Sequence, residues 1–450
     1  MSAKEIALQS AGKAPQRLGR GGINSDFGFV NDPCAWDMWL FGLRARAGAP
    51  DAWDIAQVAD SRERRRIVPD LVVEGWDVVA KRGFPDTIVQ AHSRQDSHGY
   101  LADEFCYFSE VTHPTGRAAF DVNVPLRTLL PKNLKGICVI GLGKGCARDV
   151  NPMARMQADL MNEGYAAGAA AAMAAKGTCD FRSIDIKALQ RHLVEIGNLR
   201  EEVLSWTPET DAELTDEQIA THVASMTNNF QGSWVVLRYP QRSLPYLREG
   251  FNRAKAVMNQ KDLQIYAVAL GLLGDKMAAY RLAALVSGRI PPLRLRKGGS
   301  FGGEGMEMIG YQVALGRTKD KKKALPVLLE KLSEVTDKSP LRDIRAVTLG
   351  LEALGAPEAA EALAKVLETP GFTGWSVSDF RELTPQGGYG LGPEMDRCLR
   401  ELALARALMA CGDYQGRGRK IFEAYAHDPR GVLALHANAV LMKYANSELK

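Results

Sequence analysis

The sequence predicts two unlike parts: a mixed α+β or α/β amino-terminal half over 1–200, then an all-α solenoid of helical repeats over 246–450, with a linker across 201–245. Three observations carry this. Short β-rich runs between turn residues fill the stretch from Arg65 to about Gly141. A strand, a glycine-rich turn and a long helix follow over 132–176. Beyond about Leu244 almost only helical periodicity remains, and it recurs around glycines.

Residues 1 to about 60 read as irregular, with one apolar run near Trp36–Leu43. Its Trp36, Trp39, Leu40 and Phe41 suit a buried interface or a local core. Strand-like runs come next at 67–68, 71–73, 87–89, 105–108, 120–130 and 137–140. A long helix is expected over about 153–176 and a second over about 186–196. Asp185 stands at the start of the second and Gly197 just past its end, the usual cap asymmetry.

Four helix–turn–helix segments occupy the remainder, beginning at Tyr266, Gly310, Ala346 and Leu402. Their turn glycines, Gly274, Gly316, Gly355 and Gly412, are spaced by 42, 39 and 57 residues. Two of these intervals match or approach the ~40–47-residue period of HEAT/armadillo helix pairs, and the third carries the Gly/Pro-rich insertion 370–393. One pair cannot bury its apolar face alone, so a HEAT-like solenoid is expected; an ordinary helical bundle is the other reading.

Composition narrows the function. At ~150 residues per domain, 450 residues allow about three domains. Fifty-seven Lys and Arg against 53 Asp and Glu leave a net charge of +4, too small for a charge-driven nucleic-acid binder. No run of 18 apolar residues exists, so no membrane span is expected. The seven cysteines are scattered without a C-x-x-C pair, and the seven histidines show no metal-ligand spacing. No export signal is visible, so a cytoplasmic, reducing setting is expected.

The strongest local signal is KNLKGICVIGLGKG at 132–145 followed by RMQADLMNEGYAAGAAAAMAAK at 155–176. Gly141, Gly143 and Gly145 allow close backbone approach to a ligand, and a helix N-terminus offers free N–H groups. A turn that serves packing alone is the alternative. It is not a dinucleotide fingerprint: counted from Gly141 and Gly143, the third glycine falls on Cys146. The stretch 317–323 (RTKDKKK) has no interleaved aromatics and reads as a solvated loop.

These blocks, with WDIAQVADSRERRRIV, GFPDTIVQAHSRQDSHGY and SIDIKALQRHLVEIGNL, resemble the carboxyl-terminal half of a family of FAD-dependent oxidoreductases, some with appended HEAT-like repeats. The likeness covers about Trp53 to Lys187. It implies the C-terminal portion of a flavoprotein oxidoreductase fold, whose final turn and helix cap FAD. By position, Gly141, Gly143, Arg155, Met156 and Gln157 are then cofactor-binding. Arg65, in the run 61–67, is expected to orient a substrate carboxylate, or else to pair with Glu63 within a strand. His98, in the turn QDSHGY, is the expected proton-transfer residue, or a hydrogen-bonded loop histidine.

The family holds the ADP half of FAD with an amino-terminal βαβ unit bearing G-x-G-x-x-G. Here Gly19, Gly21 and Gly22 follow no strand and open no helix. A second polypeptide carrying the dinucleotide-binding unit is therefore the expected partner. The expected function is that of one component of an FAD-dependent oxidoreductase, moving hydride from an organic substrate to FAD. The alternative is a non-catalytic interaction protein with a degenerate flavin-type domain.

Overall fold

The computed structural model describes residues 34, 35, 38, 39, 66–95, 106–109, 119–207, 213–292, 307–379, 382 and 392–448. They divide into two compact units at Ala324/Leu325. Of the aromatic cluster expected to be buried near the amino terminus, only Trp39 is described, and it is exposed.

The first unit opens with α1 (Gly75–Ala80), capped by reciprocal bonds between Glu74 and Asp77. Strand β1 (Thr87–Arg94) pairs antiparallel with β2 (Ala119–Pro125), setting His92 opposite Asp121. Among the described residues this two-stranded pairing is the whole sheet. The expected strand over 120–130 stops at Pro125, after which Leu126–Leu129 coil into a 3-10 turn. Residues 106–108 of the strand expected at 105–108 lie instead in a buried helical turn, 106–109, in which Phe108 stacks on Phe230 at 6.2 Å. A short, continuously apolar run has no period by which to tell helix from strand, so the packing partner decided it. Residues 137–140 lie outside regular secondary structure; Val139 N–H donates to Leu129 C=O, but no ladder forms.

The expected long helix is α2 (Gln157–Gly177), preceded by a 3-10 turn at Asn151–Met153. Its buried stripe is Glu163, Ala166, Ala167, Ala170 and Ala174, and the four alanines let it lie close on β1. Next comes α3 (Ile186–Glu195), with Asp185 accepting the Ala188 N–H at 2.9 Å and Gly197 in the left-handed region at φ +80°, as the cap residues implied. Gln190 on α3 donates to the carbonyls of Pro85 and Thr87, tying the helix to the start of β1.

The segment 201–245, expected as a linker, carries helices. They are α4 (Asp216–Ser225), α5 (Trp234–Arg238) and the start of α6 (Pro240–Ala256). The signals were local: Thr215 and Gln218 form a capping box, and Pro240 occupies the first turn of α6. In the same unit α7 (Gln260–Leu272) packs on α6 and on α9 (Glu307–Arg317), while α8 (Ala279–Val286) packs on both α7 and α9.

The expected helix pairs are present as helices: α7 with α8, α9 with α10 (Lys321–Ser333), α11 (Leu341–Leu354) with α12 (Ala360–Glu368), and α13 (Gly392–Ala410) with α14 (Arg417–Ala426). Helix α15 (Gly431–Glu448) follows. Gly274, Gly355 and Gly412 take positive φ at their turns. Gly316 does not: it lies inside α9, and the left-handed residue of that turn is Lys319.

In the second unit α11 packs on α13, and α13 on α14, around Cys398, Leu402, Ala405, Phe422 and Tyr425. His436 on α15 meets the edge of Phe422 at 6.0 Å. Burial, assisted by Arg406, holds its pKa below the ordinary 6.5. The unfolded imidazole therefore binds protons that the folded one refuses. Stability is full above pH 6.5 and falls as pH drops from there toward the depressed folded value. Hydrogen exchange of α15 measured from pH 7.5 to 5 is expected to show this loss, and His436→Gln to flatten it; an unchanged profile refutes the assignment.

Candidate functional site

The five residues expected at a cofactor come from one local structure. Gly141–Gly143 form a 3-10 turn, and Arg155, Met156 and Gln157 lead into α2. What joins the two pieces is a buried ion pair. Lys144 Nζ lies 2.5 Å from Glu163 Oε2, with each side chain 1% exposed. Lys144 also donates to Ala154 C=O at 2.6 Å, and the Gly141 N–H donates to Glu163 Oε1 at 2.6 Å. One carboxylate on the second turn of α2 thus fixes the glycine turn and the approach to the helix together.

Outside the turn, residues 67–73 and Thr128 form a clamp. The Ile67 N–H donates to Gly143 C=O, Gly145 N–H to Thr128 C=O, and Ala147 N–H to Val73 C=O. Gly145 is required here, because a Cβ would stand 2.0 Å from Pro69 Cγ. Gly141 is required for another reason: its φ is +72°, and open space lies where a Cβ would be.

Three features near the start of α2 bear on ligand binding. The N-terminus of α2 has no side-chain cap, Met156 standing at the N-cap position and Gln157 exposed beside it. Asn151 is 1% exposed, and neither its Oδ1 nor its Nδ2 has a partner among the described residues. Arg155 is buried at the foot of the helix. A buried amide with both ends open fits the polar edge of a planar heterocycle, which offers a donor and an acceptor side by side. The residues present therefore fit the flavin-facing part of FAD. The glycine turn itself is less available than the sequence implied, since the Gly141 N–H and Gly143 C=O are committed to Glu163 and Ile67.

Other chemistry nearby is limited. Burial pushes the Cys146 and Cys138 thiols up to about 11, away from nucleophilic use. Asp159, in the first turn of α2, accepts a backbone bond from His92, but burial raises its carboxyl above the ordinary range. The His92 ring stands 2.7 Å from Asp121 through Nδ1, on a solvent-facing part of the sheet. His98 and Arg65 lie outside the described residues.

Sequence reasoning missed Lys144, Glu163, Asn151 and the His92–Asp121 pair. Glu163 left a faint trace: it is the last carboxylate before a long Ala- and Gly-rich run of the helix, and a carboxylate buried there needs a cation. Asn151 and His92 left none, because their surroundings come from distant segments.

Residues 39–193 match the family model described as FAD dependent oxidoreductase. Comparison with curated proteins and with solved structures gives no match.

Proposed function

We propose that this chain is a component of an FAD-dependent oxidoreductase and closes the flavin end of the site. One observation carries the reading: the segment matching the family model contains the turn that Lys144 and Glu163 lock onto an uncapped helix N-terminus, beside an amide with both polar ends open. Gly141, Gly143, Arg155, Met156 and Gln157 line the cofactor, and Asn151 presents its amide to the polar ring edge. The N–H groups and partial positive charge of α2 favour negative charge beside them. FAD, when bound, supplies the acceptor for hydride from an organic substrate. Arg65 orients that substrate, and His98 takes its proton.

The ADP half of FAD is held by a dinucleotide-binding unit on a second polypeptide. Surface composition supports a partner at this end: Leu134, Ile137, Ile140, Met161 and Tyr165 are large, apolar or aromatic, and exposed. The helix pairs of 246–450, read as HEAT-like repeats, contribute further partner contacts. Among the described residues no helix is long and apolar enough to cross a membrane.

The test is purification of the native assembly with its absorbance spectrum. A flavin spectrum is expected, together with a co-purifying chain bearing G-x-G-x-x-G. Arg155→Ala is expected to cost about 1.5–3 kcal/mol of charged hydrogen bonding, hence roughly tenfold or more in flavin affinity. A colourless assembly with that partner, unable to take up FAD, overturns the proposal.

A second reading is an interaction protein with a degenerate flavin domain. It is favoured by the inward commitment of the glycine turn, which leaves that turn hydrogen-bonded without any ligand. In that case Arg155→Ala leaves partner binding unchanged, whereas changes on the helix pairs abolish it.

A further inference from the structure

A second site lies in the first unit, where α1, the loop after it, α4 and α5 meet. Here a cavity of about 560 Å³ is lined by Trp76, Trp234, Lys81, Arg82, His222 and Arg238, among others. Among the described residues no carboxylate is in the lining. Its size is that of a small-molecule site.

The cations differ in how far they are already neutralised. Arg82 donates to the buried carboxylate of Asp77 at 2.8 Å while its guanidinium lies over Trp76 and Phe84. Lys81 reaches Asp121 only at 4.0 Å and is largely exposed. Arg238 makes no direct ion pair among the described residues, although the Asp77 carboxylate paired with Arg82 also feels its charge; its guanidinium lies over two aromatic rings, 4.3 Å from the centroid of Trp76 and 5.2 Å from that of Tyr239. Stacking on a ring leaves the in-plane N–H edge of a guanidinium open, and that edge matches a carboxylate.

The aromatic side of the cavity is equally ordered. Trp76 and Trp234 stack at 6.1 Å, and His222 meets the edge of Trp234 at 5.4 Å. Burial lowers the pKa of His222, so it adds a neutral wall rather than a charge at physiological pH. Leu214 adds apolar surface. A stack that only joined α1 to α5 would need no open space beside it, nor a cation that no described carboxylate bonds directly.

We infer that this cavity binds a small aromatic carboxylate, with the carboxylate on the Arg238 edge near Lys81 and the ring against the tryptophan wall. The site uses none of the residues assigned to the flavin end.

Calorimetric titration of the full chain with benzoate, acetate and inorganic phosphate tests it, with tryptophan fluorescence as a second signal. Benzoate is expected to bind and to perturb the fluorescence, with acetate and phosphate weaker. Arg238→Ala is expected to weaken benzoate about tenfold or more, and Arg238→Lys to weaken it less, since the charge stays but the planar fork is lost. Arg242→Ala, at a cation that stacks on Tyr239 outside the lining, is expected to leave affinity unchanged. Circular dichroism confirms folding, and should the alanine variant fail to fold, the lysine variant decides. Absence of benzoate binding to the folded wild-type chain overturns the inference. So does wild-type affinity in a folded Arg238 variant, or equal binding of all three anions.

Discussion

Replacing Lys144 with methionine is expected to lower the stability of the Arg65–Ala324 unit by ~3–5 kcal/mol, the cost typical of leaving one partner of a buried ion pair uncompensated. The size of the effect follows from position rather than from attraction alone. Both side chains are shut away from water, so the Glu163 carboxylate is left buried with only the Gly141 N–H bonded to it among the described residues. The Ala154 carbonyl also loses its donor. Adding Glu163→Gln removes the orphan charge while keeping an acceptor for Gly141, and should recover much of the loss. Denaturant titration of the two single variants and the double variant measures this coupling. A loss under ~1 kcal/mol for Lys144→Met, or strict additivity in the double variant, refutes the claim that this pair joins the turn to the helix.

In the second unit, Arg430→Leu is expected to cost a similar ~3–5 kcal/mol. Arg430 is 1% exposed and serves four partners: Asp428 through two nitrogens, Glu394 at 2.6 Å, the Trp375 carbonyl at 2.7 Å and the Cys398 sulfur at 3.3 Å. Asp428 also accepts the Val377 N–H, and Glu401 accepts those of Gly374 and Trp375 along with the Tyr425 hydroxyl. The stretch 371–379 lacks regular secondary structure, so side chains from α13 and from the turn before α15 hold it in place. Fast hydrogen exchange at 374–377 in Arg430→Leu, beyond the change in global stability, is the expected signature. Wild-type exchange there would show that Glu401 alone suffices.

The two effects differ in how visible they were beforehand. The helix pairs could be read from apolar spacing and turn residues because helices satisfy their backbone locally, and a 3.6-residue period survives in any context. Asp185 and Gly197 were legible for the same reason, since a cap acts within a few residues. Residues 106–108 are not legible as a helical turn because so short an apolar run carries no period. The turn assigned to Gly316 was misread because Lys319 took the left-handed conformation at a cost that composition does not display.

The candidate site divides along the same line. The sequence by itself determined that a glycine turn would precede a long helix of small residues, and that Arg155, Met156 and Gln157 would stand at that helix's start. It also determined where regular helices would fill the carboxyl-terminal part. Only the tertiary structure decided what the turn does with its hydrogen bonds: Glu163, 22 residues beyond Gly141, takes the amide and binds Lys144. Only the pairing of β1 with β2 set His92 against Asp121, and only the meeting of α1 with α5 placed Arg238 over Trp76. Local signals arise from interactions within one or two helical turns, whereas a charge's partner is set by whichever distant segment excludes water from it.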